Sequence, residues 1–264
     1  MTEMVKNRKK YVPRTYTVKK SNPSEVVGRY IWEWEQKRGK IPKEKPCQEM
    51  PPSICFSREI GVGALEVADI LVKKTGFHVH DKSILSYISQ EANIREQTVA
   101  IFDELYPGKT NEILWYLISE KSFTKSDYAR HLFRVVVSLS FLGSAIFVGR
   151  GAYLILPRDR ILAVRFISGR EYRIRRLAGI LNVTEQEADH QIDQLDKEQR
   201  DFFRKVFKKR EITPYEFDLV INFDYLTNPQ CAAEIVAIAF SERFGKELAI
   251  RAPDSSLKRT FQDI

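Results

Sequence analysis

The sequence predicts an α/β fold, a parallel β-sheet wrapped by helices. Short runs rich in β-branched and aromatic residues, among them Ser53–Ser57, Ala145–Gly149 and Leu162–Ile167, read as buried strands. Segments of helical period stand between them, and strands alternating with helices imply parallel pairing. A third observation is local. The apolar run Ile54-Cys55-Phe56 leads into Ser57-Arg58-Glu59-Ile60-Gly61-Val62-Gly63-Ala64-Leu65-Glu66, and Val67, Ala68, Ile70 and Leu71 then follow a helical pattern. Strand, glycine loop, helix is an arrangement that cradles phosphate. The glycines let the backbone approach an anion, and the helix start supplies free N–H donors and a positive dipole end.

The loop departs from the phosphate-loop pattern G-x-x-x-x-G-K-[ST]. With Gly63 as the second glycine, Arg58 stands at the first glycine position, Ala64 at the lysine and Leu65 at the Ser/Thr. No lysine reaches the terminal phosphates and no hydroxyl holds a magnesium ion. By nearness in the chain, Arg58 and Lys82 are the cations that would compensate.

The elements follow in order. Asn22-Pro23-Ser24 starts a helix in which Val26, Val27, Tyr30, Ile31 and Trp34 fall near helical spacing. Trp32 and Trp34 either pack this helix on its own domain or offer a surface to a partner. Gly39 ends the helix, and the prolines 42, 46, 51 and 52 mark a linker. Val67–Thr75 is helical and stops at Gly76, and Phe77–His80 is a short extended run. Residues 83–142 are helical in pattern, with a break at Tyr106-Pro107-Gly108. Glu171–Gly179 is helical. Thr184-Glu185-Gln186-Glu187 is a capping box whose helix runs to about Lys209. Phe217–Asn222 reads as a strand and Gln230–Arg243 as the last helix. His78 and His80 alternate with apolar neighbours on a strand, which explains them without a metal.

Charge is unevenly spread. The chain carries a net +8, and residues 1–20 hold seven basic side chains against Glu3. The remainder is close to neutral, so any nucleic-acid or acidic-lipid binding is expected in this tail, whose plainer reading is a disordered, solvated segment. The longest uncharged run, Val135–Gly149, has 15 residues, too short for a membrane span. Cys47, Cys55 and Cys231 lack metal-ligand spacing and are odd in number, which fits free thiols in a reducing cytoplasm. The expected organisation is a basic tail over 1–22, a helix and proline-rich linker over 23–51, one α/β domain over 52–245 and a tail over 246–264.

Six segments in order carry a family resemblance: Ser57-Arg-Glu-x-Gly61-x-Gly63; Asp81-Lys82; Val148-Gly-Arg150-Gly151; Glu171-Tyr-Arg173-Ile-x-Arg176; Asp196-Lys-x-x-Arg200; and Tyr215-x-x-Asp218-Leu-x-Ile-Asn222. Together they resemble the cytidylate kinase-like family, a branch of the P-loop nucleoside monophosphate kinases. The resemblance implies a five-stranded parallel sheet in the order 2-3-1-4-5, a helical insertion and a lid, with ligands at the carboxyl ends of the strands. It implies that the loop at Gly61 and Gly63 holds the donor phosphates of ATP with Mg2+. Asp81 and Lys82 would lie near the acceptor nucleotide, and Arg150 would hold its phosphate. Arg173 and Arg176, at the start of the lid, would face the transferred phosphoryl group, helped by Asp196 and Arg200. Gly151 stands where the family's Gly-Arg-Asp motif has aspartate. Many relatives replace the loop lysine by glycine and follow it with arginine, and Leu65 lacks that arginine too.

The chemistry is consistent with these roles, because phosphoryl transfer needs positioning and cationic neutralisation more than covalent help. Guanidinium groups bind phosphate bidentately and suit the task. Plainer roles compete at several positions. Arg58 pairs with Glu59 or Glu66. Asp81 caps the helix that follows. One of Arg173, Arg175 and Arg176 is only solvated, and Asp196 and Arg200 form an ordinary i,i+4 pair. The leading expectation is a nucleoside monophosphate kinase that passes the γ-phosphoryl of ATP to cytidylate or a related monophosphate. The second is a non-enzymatic nucleotide- or anion-binding descendant. It would act through its N-terminal helix, by forming a homo-oligomer, or through its basic tail.

Overall fold

A computed structural model of the chain describes residues 22–38, 50–105 and 127–251. Its centre is a five-stranded sheet made of β1 (Ser53–Arg58), β2 (His78–Asp81), β3 (Ala145–Val148), β4 (Ile161–Ile167) and β5 (Leu219–Asn222), in the order β2-β3-β1-β4-β5. Every pairing is parallel. The central strands are buried on both faces, which is why they read as continuous apolar runs rather than as an alternation. Along β1, Ile54 and Phe56 enter one core while Cys55 enters the other. The core of Ile54 is closed by α2 (Ala64–Thr75) and α9 (Pro229–Arg251). The opposite core takes α1 (Pro23–Arg38), α3 (Lys82–Gln90), α5 (Asp127–Phe141), α6 (Ala152–Ile155) and the end of α8 (Glu185–Phe207). Helix α4 (Ala92–Leu105) packs on α1, α3 and α5. Helix α7 (Arg170–Leu181) pairs with the first half of α8 over a small core of Leu177, Leu181, Ala188 and Ile192. That hairpin stands where the resemblance implies a lid, and is termed the lid.

Local chemistry sets the element ends. Gly76 closes α2 at φ 69°, its N–H donating to the Val72 carbonyl at 2.8 Å. The Asp81 carboxylate caps α3 and accepts from the Ser83 and Ile84 N–H groups, each at 2.9 Å. The capping box at Thr184 forms as the sequence predicts. Strand β5 starts later than expected. Phe217 ends a 3-10 turn, and Asp218 holds β4 from the side, its carboxylate accepting from the Ala163 N–H at 2.7 Å. Helix α9 continues past Arg243 to Arg251.

Helix α1 is built into the domain. Val26, Val27, Tyr30 and Ile31 are buried against it. The Tyr30 hydroxyl donates to the Val79 carbonyl at 3.4 Å, its ring centre lies 4.3 Å from that of His78, and Glu33 sits 3.1 Å from the same imidazole. Trp32 is exposed. The basic tail, the proline linker and the break at Tyr106-Pro107-Gly108 lie outside the described residues, apart from Asn22 and residues 50–52. No described helix is long and apolar enough to cross a membrane.

If α1 is part of the core, Tyr30→Ala lowers unfolding stability by about 3 kcal/mol, as for other buried aromatics. Denaturant unfolding followed by circular dichroism measures this. A change within error would mean that α1 is an appendage.

Candidate functional site

The loop between β1 and α2 turns through two left-handed glycines, Gly61 at φ 86° and Gly63 at φ 100°. Both are buried, with Val62 between them. What lies against them is α7. A Cβ at Gly61 would sit 3.3 Å from the Arg173 carbonyl oxygen, and one at Gly63 would sit 3.2 Å from the Arg176 guanidinium. Arg173 and Arg176 are neighbours on one helix face. Arg176 Nη1 donates to the Gly61 carbonyl at 3.1 Å, and its Nη2 is paired with the Glu66 carboxylate. Arg173 Nη1 donates to Asp196 Oδ2 at 2.9 Å and to the Ile60 carbonyl at 3.4 Å, and its Nε lies 3.9 Å from Glu59. The start of α7 is fixed by Asp224, whose carboxylate accepts from the Gly169 N–H at 2.7 Å, and by Glu59, which accepts from the Ser168 N–H at 3.0 Å. The hairpin of α7 and α8 is therefore packed on the loop.

The cation nearest the loop backbone is thus Arg176, not Arg58 or Lys82. Those two line a different cavity, of about 60 Å³, beside the end of β3. Residues 149, 150 and 151 there are all left-handed, with Arg150 at φ 52°. A non-glycine residue in that region stores strain that the surroundings must hold. The Arg150 guanidinium lies 4.7 Å from the Phe202 ring centre, and its Nη2 donates to Ser86 Oγ at 2.7 Å. Among the described residues Arg150 makes no ion pair, and its buried Nε has no hydrogen-bond partner. Burial depresses its affinity for its proton, and the nearby Arg58 charge adds to this. Arg58 is buried and makes no ion pair among the described residues, so the expected pairing with Glu59 or Glu66 is absent: those carboxylates serve the lid arginines. The small cavity is lined by three cations and one carboxylate, Glu198, a net positive balance that suits an anion.

Residues 53–225 match the model of the cytidylate kinase-like family. The chain belongs to this family. A crystal structure of an uncharacterized protein from Eubacterium ventriosum ATCC 27560 is similar, with a TM-score of 0.54 at 16% identity over 70% of this chain and 95% of the other. A shikimate kinase structure from Bacteroides thetaiotaomicron is more distant, with a TM-score of 0.37 at 13% identity over 71% of this chain and 96% of the other. No curated protein matches the chain.

Family resemblance groups the site residues, and the structure divides them differently. Gly61, Gly63, Arg173, Arg176 and Asp196 meet at the loop. Arg58, Lys82 and Arg150 share the 60 Å³ cavity. Asp81 lies buried beside it as the helix cap. Asp196 pairs with Arg173 rather than with Arg200, so the expected i,i+4 bridge is replaced by a contact across the lid. Arg200 lines neither the loop nor the Arg150 cavity. It faces a second cavity with Arg165 of β4. Sequence reasoning passed over Arg165, although a charge inside the run Leu162–Ile167 is a signal. It also passed over Ser86, Gln199 and Phe202, which no motif marks.

The residues at the loop do not fit magnesium. Leu65 is buried where a hydroxyl would be needed, Glu66 is taken by Arg176, and Glu59 and Asp224 hold the start of α7. Magnesium sites use one or two free carboxylates with substrate oxygens, and none is free here. ATP fits no better with the lid in this position, since buried glycines leave its phosphates no backbone to approach.

Position 151 is closed as well. A Cβ on Gly151 would strike the Phe207 ring, and the residue's φ of 69° disfavours any side chain. Restoring the family aspartate by Gly151→Asp should therefore lower stability by about 2 kcal/mol or more, the scale of core overpacking. Thermal unfolding of the variant checks this. An unchanged melting temperature would show that α8 yields at Phe207.

Proposed function

We propose that the chain is a kinase-like nucleotide-binding protein that holds a monophosphate group at Arg150, with its donor loop closed by its own lid. The observation that carries this is the Arg150 guanidinium. Its backbone is strained, the side chain is largely buried and stacked on Phe202, and among the described residues it makes no ion pair, while Arg58, Lys82 and a single carboxylate, Glu198, line the same cavity. A buried charge without a counter-ion is costly unless a ligand supplies one. The cavity is smaller than the ~300 Å³ at which ligand sites begin. It therefore takes the phosphate while the nucleoside lies outside it. The preferred acceptor by family is cytidylate or a related monophosphate.

Titration calorimetry with a panel of nucleoside monophosphates, cytidylate first, tests this reading. Arg150→Ala should weaken binding at least tenfold, since a hydrogen bond to a charged group is worth about 1.5–3 kcal/mol. Absence of binding to the unmodified chain, or equal affinity in the variant, would reject it.

One observation favours a second reading, an active phosphotransferase. Arg176 lies against Gly63, where it supplies the cation that Ala64 does not. A triphosphate would have to draw Arg176 away from Glu66 and the Gly61 carbonyl, so ATP binding should be weak, with a dissociation constant above micromolar. Glu66→Gln should tighten it severalfold by releasing the guanidinium. ADP release on adding a monophosphate would establish this reading, and none across the panel would exclude it.

A further inference from the structure

A larger cavity, of about 360 Å³, lies on the β4 side of α8. It shares Gln199 and Phe203 of α8 with the Arg150 cavity, and Gln199 donates to the Arg58 carbonyl at 3.0 Å. Three guanidinium groups line it, each from a different element: Arg165 from β4, Arg200 from α8 and Arg210 from the segment after α8.

Arg165 interrupts a strand whose other residues are apolar. A charge at such a position is expensive unless something uses it. Its polar contacts are Ser57 Oγ at 2.8 Å and Glu59 at a loose 3.9 Å, and burial depresses its affinity for its proton. Arg200 and Arg210 are exposed and make no ion pair among the described residues. The acids around the cavity are mostly committed. Asp196 is held by Arg173, and Glu59 by the Ser168 N–H, with Arg165 and Arg173 each 3.9 Å from its carboxylate. Glu211 is the remaining carboxylate. Arg165 has a distant partner in Glu59, and Arg200 and Arg210 face one uncommitted acid. Phe203 and Ile212 supply an apolar side, and the volume is that of an ordinary ligand site, ~300–1,000 Å³.

We infer that this cavity is a second ligand site, for a small organic phosphate whose anionic group is held by Arg165, Arg200 and Arg210. A single carboxylate is satisfied by one guanidinium fork. Three forks on one cavity match a group with several equatorial oxygens and more than one charge. The site is independent of a monophosphate at Arg150, because no residue invoked here carries that reading.

The test uses the full chain carrying Arg150→Ala, so that the smaller cavity is silenced, with inorganic pyrophosphate as the probe in titration calorimetry. Adding Arg210→Ala should weaken pyrophosphate binding at least tenfold. Adding Glu211→Gln instead should tighten it severalfold, an effect of opposite sign that partial unfolding cannot produce. Citrate at the same ionic strength should bind at least tenfold more weakly than pyrophosphate. The site is refuted if Arg210→Ala leaves the affinity unchanged or Glu211→Gln fails to raise it. Equal affinity for citrate would overturn the phosphate assignment.

Discussion

The contact on which the site depends is that of two lid arginines with the turn after β1. Arg176 reaches the Gly61 carbonyl and Glu66 together, and Arg173 reaches Asp196 and the Ile60 carbonyl. Three separate pieces of chain are fixed by these bonds: the loop, α7 and α8. The arginines are partly or wholly desolvated, so charge-assisted bonds here gain from a low local dielectric, and an unpaired carboxylate would be correspondingly costly. The glycines make the approach possible. Each is left-handed, and each has lid atoms where a Cβ would point. Gly63 admits the Arg176 guanidinium and Gly61 the Arg173 backbone, for the same steric reason that such glycines admit a phosphate.

This arrangement places opposite demands on the two sides of α8. On the loop side, positive charge is neutralised within the protein. On the β3 side it is not: Arg150 stacks on Phe202 and bonds a neutral hydroxyl, and Arg58 stands close enough to oppose its charge. The carboxylates at the lid pair with its arginines, whereas at the end of β3 Glu198 lines the cavity and Arg150 makes no ion pair among the described residues. The left-handed run at residues 149–151 belongs to the second site. It turns the chain sharply at the end of β3, where residues of α6 and the end of α8 share one core and Phe207 lies against Gly151.

Much of the fold was legible in the sequence because the sheet's burial is written locally. Continuous apolar runs marked the central strands, Gly76 and Thr184 marked helix ends, and the alternation of strands with helices fixed parallel pairing. Boundaries were missed where a side chain did the work of the ladder, as Asp218 does beside β4. The site was legible in composition and not in partnership. Arg173, Arg176 and Asp196 stood out as lid residues, yet spacing suggested that Asp196 pairs four residues on, whereas its partner is 23 residues back on the other helix of the hairpin. Local spacing always offers an i,i+4 partner, while a contact between helices depends on how they pack. The cation at the loop escaped for the same reason: nearness in the chain favoured Arg58 and Lys82, and nearness in space belongs to Arg176.

The departure at Gly151 shows how such a partnership constrains what the site can be. Phe207 is buried in an aromatic cluster with Phe133, Phe202 and Phe203, at ring separations of 5.6–5.9 Å. Phe202 in turn carries the Arg150 guanidinium on its face. An aspartate at 151 and this cluster exclude each other, because its Cβ would enter the Phe207 ring. The loss of a carboxylate beside Arg150 is thus tied to an aromatic wall that replaces electrostatic pairing with stacking. Stacking holds the guanidinium in place without supplying a counter-ion, and the proposed anion site at the end of β3 rests on that.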